Sequence, residues 1–165
     1  MRTIKTIIFT LAAMLILASC NEDDVIVVDP NADLEVVDIV FTSDDLDPDN
    51  QVFSGTVKIT GIVVNTGTTD FVSGTNQQAI VLDEVPIAGS PVEKVRLPFA
   101  RLNAGDTLRI SYDRAWSLSN EFPPSFKVSL TYDPDIFIDG NENNDDNDLT
   151  NNSITKTGYD IHNSF

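Results

Sequence analysis

Apolar and polar residues alternate along much of the chain after residue 33, which is the pattern of half-buried β-strands. The clearest case is residues 126–132, where one strand face carries only apolar or aromatic side chains: Phe126, Val128, Leu130 and Tyr132. The same pattern, interrupted by turn-forming residues, predicts six further strands at residues 36–41, 57–63, 78–85, 92–97, 106–112 and 152–161. No window after residue 20 shows sustained helical periodicity, so we expect helix only before that point.

About seven short strands separated by turns predict an all-β fold, namely an immunoglobulin-like β-sandwich of about seven antiparallel strands. A small barrel is the alternative that the same pattern allows. The chain has a single cysteine, so no disulfide can join the two sheets, and side-chain packing must hold the core.

The first 19 residues have the layout of a secretory signal, with Arg2 and Lys5 ahead of an apolar run at residues 7–17. That run is too short to cross a bilayer, because a spanning helix needs about 20 apolar residues. The sequence Leu17-Ala18-Ser19-Cys20 resembles the lipobox of bacterial lipoproteins. The resemblance implies that the signal is cleaved before Cys20, whose thiol carries the lipid. An ordinary secretory signal with an unpaired cysteine, or an uncleaved helix, is the alternative.

Residues 20–33 are predicted to form a lipidated, acidic tether, and an apolar patch at residues 25–28 could dock a short strand on the domain. The sequence Asn21-Glu22-Asp23-Asp24 looks like the acidic export signals that send some Gram-negative lipoproteins to the outer face of the outer membrane. We therefore expect a lipid anchor in the outer membrane and a domain that faces the cell exterior. A simple solvated spacer is the alternative interpretation of these acids.

The charge of the chain excludes one class of partner. The full chain has a net charge of −16, and loss of residues 1–19 leaves eight basic residues against 26 acids, a net charge of −18. Nucleic acid binding depends on clustered Lys and Arg, so we expect no nucleic acid partner. Cationic partners, divalent metals and neutral glycans remain compatible with this charge.

Several short motifs occur in an order that resembles a known family: residues 63–67 (VVNTG), 102–107 (LNAGDT), 126–135 (FKVSLTYDPD), 141–143 (NEN) and 151–152 (NN). Together they are similar to the CARDB domain, a bacterial cell-adhesion-related immunoglobulin-like module, over residues 34–161, which leaves residues 162–165 as a tail. The chain departs from the family by spreading the late Asn-Glu and Asn-Asn pairs over an insert at residues 144–150. The resemblance implies an extracellular, noncatalytic role in adhesion or scaffolding.

Residues 133–152, here called the acidic loop, are the main candidate for metal chemistry. Carboxylate and amide oxygens suit Ca²⁺, although an EF-hand register from Asp139 fails because Asn144 replaces the glycine and Thr150 the glutamate. A looser calcium site is predicted from the acids of this loop: Asp133, Asp135, Asp139 and Glu142. The alternative is that Asp and Asn here only form turns. No cofactor is required, and a second acidic cluster at residues 44–49 is expected at the opposite end of the sandwich.

Trp116 is the candidate for ligand contact, because sugar-binding surfaces use exposed aromatic rings. The alternative is that Trp116 closes one end of the core between the fifth and sixth predicted strands. His162 is the only histidine, which leaves little from which to build a catalytic triad or a multi-histidine metal site. The sequence therefore predicts a surface-anchored, noncatalytic binding or adhesion lipoprotein that contacts an extracellular protein or glycan. A glycan-binding accessory lipoprotein of a polysaccharide-uptake system is the alternative.

Overall fold

The computed structural model describes residues 30–165, so the predicted signal, Cys20 and the patch at residues 25–28 lie outside the described residues. Seven strands of the described part have four or more residues: β1 Leu34–Thr42, β2 Ser54–Asn65, β4 Gln78–Val85, β5 Val92–Phe99, β7 Thr107–Ser117, β8 Ser125–Tyr132 and β9 Ser153–Lys156. Two more have two residues each: β3 Phe71–Val72 and β6 Arg101–Leu102. The prediction of an all-β fold with about seven main strands is confirmed.

The seven long strands form two antiparallel sheets, one in the order β1-β2-β7 and the other in the order β5-β4-β8-β9. The second and fifth long strands are neighbours in one sheet, and the third, sixth and seventh are neighbours in the other. Immunoglobulin domains place their strands B and E, and C, F and G, in the same way. The buried residues of both sheets form one hydrophobic cluster between them, so the fold is a sandwich.

A β-bulge in β1 sets which residues of this strand enter the core. Leu34 and Val36 are buried, and strict alternation would place Asp38 next on the same face. The pairing with β2 shifts between Val36 and Asp38, so the extra residue turns Asp38 outward and buries Ile39 instead. The bulge therefore avoids the burial of a carboxylate.

Strand β7 is longer than predicted, and it includes Trp116, which had been expected in a loop after the strand. Alternation continues to Ser117, but Arg114 occupies an inward position where an apolar residue was expected. The Arg114 guanidinium donates to Glu84 at 2.9 Å and lies 5.2 Å from the centre of the Trp116 ring. Because this charge is paired across the sheets, the strand can continue through it.

The expectation that helix occurs only before residue 20 is wrong. The predicted strand at residues 152–161 ends at Lys156, and the helix α1, Gly158–His162, follows it. Thr157 and Asp160 cap this helix reciprocally through their side chains and backbone N–H groups. Three short 3-10 helices also occur, at Pro48–Asn50, Ile136–Ile138 and Leu149–Asn151.

The short strands β3 and β6 were not predicted, because two residues are too few to show a period. Phe71 lies in β3 and is fully buried. Its ring packs 5.9 Å from that of Phe99. Phe71 is therefore part of the core and offers no ligand-binding surface.

The sandwich has two ends, which are named here for the functional argument. The proximal end is where residues 30–34 enter β1, and it also contains the acidic loop and the turns at residues 65–70 and 103–106. The distal end contains the loops at residues 43–53, 86–91 and 118–124, together with α1. Strand β1 runs from one end to the other, which separates them by about 30 Å for nine residues.

Candidate functional site

The acidic loop connects β8 to β9 at the proximal end and is fixed to the sandwich along its length. Its backbone begins with the N–H of Asp133 donating to the carbonyl of Gln77 at 2.6 Å. Ile136 then enters the core and is fully buried. Further along, Asn141 Nδ2 donates to the carbonyl of Val72 at 2.9 Å, and the Val72 N–H donates to the carbonyl of Asn143 at 2.9 Å. The loop is thus anchored on β3 and on the start of β4.

The last part of the loop holds the segment through which the chain enters the domain. Ala32 forms an isolated parallel bridge with Asp146, and the Asn147 N–H donates to the Ala32 carbonyl at 3.0 Å. The Leu34 N–H donates to Asp146 Oδ1 at 3.0 Å. We call these contacts between residues 32–34 and residues 146–147 the entry clasp. It joins parts of the chain more than 110 positions apart.

Asp146 is the centre of the entry clasp, and its carboxylate is buried. Besides Leu34, Tyr132 Oη donates to Asp146 Oδ2 at 2.6 Å, and Asn152 Nδ2 donates to the same oxygen at 2.7 Å. Burial raises the pKa of the Asp146 carboxyl despite these hydrogen bonds. Burial, together with the Asp146 charge, also raises the pKa of Tyr132 far above its usual value, so Tyr132 acts only as a neutral donor.

The motifs that carry the family resemblance meet at this end of the domain. Asn65 is fully buried, and its side chain donates to the carbonyls of Thr69 at 2.8 Å and Leu102 at 3.0 Å. Its Oδ1 accepts from the Gly67 N–H at 3.1 Å. The Asn65 backbone in turn bonds to both Gly105 and Asp106. One asparagine therefore ties together the turns after β2 and before β7.

Gly67 shows why this turn requires glycine. A Cβ atom at this position would lie 2.6 Å from the backbone nitrogen of Asp33 and 2.9 Å from the carbonyl carbon of Ala32. Any larger residue would push the entering chain away from the turn. Residues 31–33 thus pack against the turn at residues 65–67 as well as against the acidic loop.

The four acids predicted to form a calcium site are all in the acidic loop, but the structure does not bring them into one group. Asp133 Oδ1 accepts from the Asp135 N–H at 3.1 Å, which is a local turn contact. Asp139 instead accepts from Asn144 Nδ2 at 2.9 Å, and Glu142 is exposed. Within residues 30–165, no set of three or more His, Cys, Asp or Glu side chains is close enough to hold a metal ion. Calcium binding by these four acids stays a prediction.

Sequence reasoning missed a set of buried oxygen atoms in the same loop. The following four accept no hydrogen bond from residues 30–165: Asn144 Oδ1, Asp145 Oδ1, Asn151 Oδ1 and Asn152 Oδ1. All four residues lie late in the acidic loop, within residues 144–152. Composition alone shows many Asp and Asn residues here, and it does not show which of their oxygens are buried.

Trp116 lies in the core and is 4% exposed. Its ring centre is 6.3 Å from that of Phe126 and 5.6 Å from that of His162. This placement agrees with the interpretation of Trp116 as a core residue, and it leaves the ring without an exposed face on which a sugar could stack. His162 lies in α1 at the distal end, and its ring makes edge-on contacts with the rings of Trp116 and Tyr159.

The acidic cluster at residues 44–49 lies at the distal end, at the far end of β1 from the acidic loop. A shallow cleft there is lined mainly by Ser43, Asp44, Asp45, Lys58 and Asp113. The two acidic clusters therefore cannot share one ion, because β1 holds them about 30 Å apart.

The distal end exposes aromatic side chains. Phe122 is 70% exposed, Tyr159 57% and Phe53 45%. Tyr159 Oη donates to the carbonyl of Glu121 at 3.0 Å, and the Leu118 N–H donates to the carbonyl of Phe53 at 2.8 Å. These contacts hold the loops at residues 43–53 and 118–124 and α1 side by side. We call this combination the distal surface.

Comparison with known proteins does not assign the chain to a family. No family model matches the chain, and no curated protein matches it. Within the part of the chain that the structure describes, no helix is both long and apolar enough to cross a membrane.

Proposed function

We propose that the protein is a lipid-anchored, noncatalytic binding or adhesion module that presents its distal surface away from the membrane. The observation that carries this proposal is the position of the entry clasp. The chain reaches the sandwich at the proximal end, and the distal loops lie about 30 Å away along β1. An anchor at Cys20 would therefore hold the proximal end toward the membrane and leave the distal surface free.

The anchor itself rests on the sequence. Cys20 follows Leu17-Ala18-Ser19 and precedes an acidic stretch, and attachment of two or more acyl chains gives stable membrane anchoring where one chain does not. The acids at residues 22–24 support display on the cell exterior. The resemblance to CARDB domains, with their adhesion role, points in the same direction.

The chemistry of the distal surface supports contact with a protein partner. Exposed aromatic side chains are enriched in the centres of protein interfaces, and Phe53, Phe122 and Tyr159 are exposed there. The acids at residues 44–49 lie beside them and would favour a partner with basic groups at its rim. The glycan-binding alternative depended on an exposed Trp116, and the buried position of that ring removes its main support.

The anchor is tested by metabolic labelling with a radioactive or clickable fatty acid, in cells that express the natural chain or the Cys20→Ala variant. The natural chain should carry label and sediment with membranes, and the variant should do neither. Labelling intact cells with a membrane-impermeant reagent tests which side the domain faces. Labelling that occurs only after lysis would reject exterior display.

The binding role is tested with cells that display the natural chain, Phe53→Ser/Phe122→Ser, or the matched variant Ile138→Ser. Ile138 is exposed in the acidic loop, so its substitution changes exposed apolar area at the proximal end only. Adhesion of cells to each other or to a protein-coated surface should fall for the distal double variant and remain for Ile138→Ser. Equal adhesion by all three would reject the distal surface as the contact site.

A further inference from the structure

The strand β7 has a free edge without the usual protection of an edge strand. It is the last strand of its sheet, in the order β1-β2-β7, and no backbone hydrogen bond within residues 30–165 joins its other side to a further strand. Its 11 residues pair with β2 without a register shift, and the strand contains no proline. A long, regular edge of this kind is a template on which another strand can pair.

The other three edges of the two sheets in residues 30–165 are protected. In β5, Pro98 lacks an N–H, and the pairing with β4 shifts between Leu82 and Asp83. The edge strand β9 has only four residues. Strand β1 carries the bulge before Asp38, and Lys156 of β9 pairs with that carboxylate at 2.7 Å across the side of the sandwich. This contrast identifies β7 as the edge at which pairing is possible.

The outer face of β7 carries two opposite charges at matched positions. Arg109 and Asp113 lie on this face, one on each side of Ser111, and all three residues are exposed. Neither charge belongs to an ion pair in the part of the chain that the structure describes. On the inner face, Leu108 and Tyr112 are only half-buried, so the edge also has apolar surface left to cover. The charges and the apolar surface together suit a partner strand of complementary pattern.

We propose that β7 pairs with β7 of a second copy of this chain, in an antiparallel register centred on Ser111. Each Arg109 then lies directly opposite Asp113 of the other copy, because both residues are two positions from the centre. The strand is therefore complementary to itself, as a two-fold symmetric interface requires. An antiparallel register centred on Ile110 or Tyr112 forms neither ion pair, and in-register parallel pairing places like charges side by side.

The pairing joins two three-stranded sheets into one sheet of six strands. Arg114 does not oppose it, because this side chain faces Leu108 of the other copy and its charge is already paired with Glu84 at 2.9 Å. Since the two β7 strands are antiparallel, the proximal end of one copy lies beside the distal end of the other. With both copies anchored as proposed above, this orientation suits copies on two facing cells. That consequence rests on the proposed function, whereas the pairing itself does not.

Cross-linking tests the centre of the register. The full chain, purified in detergent, carries Cys20→Ala, so that an introduced thiol is the sole cysteine and the result does not depend on lipidation. Ser111→Cys should form a disulfide-linked dimer under mild oxidation, because opposite residues of antiparallel strands have Cα atoms about 4.5–5.5 Å apart. Thr60→Cys is the control, since Thr60 lies opposite Ser111 on β2 with the two Oγ atoms 2.9 Å apart. The two Thr60 residues of a pair would be three strand spacings apart, about 14 Å, and should not cross-link.

Charge reversal tests the two ion pairs in the same Cys20→Ala chain, with the Kd of the dimer measured by sedimentation. Arg109→Glu and Asp113→Arg should each weaken self-association at least about tenfold, because two attractive pairs become two repulsive pairs. An equal mixture of the two variants should associate, since each supplies the charges that the other lacks. Lys127→Glu makes the same charge change as Arg109→Glu on the outer face of the other sheet, and it should change the Kd less than about twofold.

Three results would each overturn the proposal. The first is a chain that remains monomeric up to its highest soluble concentration. The second is Thr60→Cys that cross-links as readily as Ser111→Cys. The third is a mixture of Arg109→Glu and Asp113→Arg that associates no better than either variant alone. Circular dichroism of each variant shows that it is folded, and the mixture would restore association only between folded copies.

Discussion

Asp146 and Leu34 are 112 positions apart in the chain, and the carboxylate of one accepts the backbone N–H of the other at 3.0 Å in the buried part of the proximal end. This bond joins the acidic loop to the first strand. It also explains why a carboxylate is retained in a buried position: the Leu34 N–H starts β1 and has no strand partner for its proton at that point. Asp146 supplies the acceptor.

Replacement of Asp146 by alanine should destabilise the domain strongly. The substitution leaves three donors without an acceptor, namely Leu34 N, Tyr132 Oη and Asn152 Nδ2. We expect the free energy of unfolding to fall by about 3 kcal/mol, measured by urea denaturation. Asp49→Ala, at the distal end, should change it by less than about 0.5 kcal/mol. A loss below about 1 kcal/mol for Asp146→Ala would mean that the entry clasp does not hold β1.

The pH dependence of stability should reveal the buried state of Asp146. Because burial raises its pKa, its contribution to the free energy of unfolding is complete below the unfolded pKa of about 3.9 and is lost as the pH rises through the folded pKa. The difference in stability between the natural chain and Asp146→Asn should therefore be largest near pH 4 and fall toward pH 7. Urea titrations at several pH values measure it.

Asp38 provides a control of opposite sign for that measurement. Its hydrogen bond from Lys156 lowers its pKa, so its contribution is present above the unfolded pKa and is lost as the pH falls through the folded value. The difference between the natural chain and Asp38→Asn should thus be steady from pH 7 to about pH 4 and decrease below it. Equal pH profiles for the two variants would contradict the raised pKa of Asp146.

The two sheets lie close together at Gly61 of β2, so this position should not accept alanine. A Cβ there would lie 2.5 and 2.9 Å from the two methyl carbons of Val128, which belongs to the opposite sheet. Gly61→Ala should reduce the free energy of unfolding by about 2 kcal/mol through overpacking. In Gly61→Ala/Val128→Ala the new methyl group fills the space left by valine, so the double variant should be at least about 1 kcal/mol more stable than the sum of the single effects. Additive effects would rule out this contact.

Glu84 of β4 pairs with Arg114 of the opposite sheet and with Lys94 of its own sheet. Its loss should therefore reduce stability more than the loss of an exposed acid. Burial acts to raise the pKa of Glu84, but the hydrogen bonds from Arg114 and Lys94 outweigh it and leave the pKa lowered. Glu84→Gln should lower the free energy of unfolding by about 1 kcal/mol, less at high salt. Glu93→Gln, which removes the exposed pair with Arg96, should give no measurable change. Similar losses for both would show that Glu84 does not link the sheets.

Trp116 is the single tryptophan, so its fluorescence reports directly on whether the ring is in the core. A buried indole should emit at short wavelength and be quenched weakly by acrylamide, and unfolding in urea should shift the emission to the red. Added oligosaccharides should leave the emission unchanged. Strong quenching in the folded state would contradict the buried position and restore the exposed-ring interpretation.

The sequence predicts the long strands well where the apolar period is uninterrupted. Residues 78–85 form a strand with the predicted bounds, and residues 126–132 gain only Ser125. The prediction fails where a long-range contact overrides the local pattern. In β7, Arg114 interrupts the apolar pattern, so the sequence does not show that the strand continues past it. The charge of Arg114 is compensated by Glu84, which is remote in sequence.

Two other failures have different physical origins. The helix α1 has only five residues and begins with Gly158, so it has no helical period, although Thr157-x-x-Asp160 is a capping signal that could have revealed it. The sequence shows that the acidic loop is rich in Asp and Asn side-chain oxygens. Which oxygens become buried depends on its attachment to β3 and to residues 32–34, and those contacts arise only in the folded domain.

The bulged pairing of β1 with β2 has a mechanical consequence for a domain held at its proximal end. A load between an anchor before residue 30 and a partner on the distal surface would act along β1, whose hydrogen bonds to β2 run across the strand from Leu34–Asn65 to Thr42–Lys58. Because such a load is perpendicular to these hydrogen bonds, it stresses all of them at once in shear and does not break them one after another. The entry clasp adds resistance at the point where tension first reaches the fold.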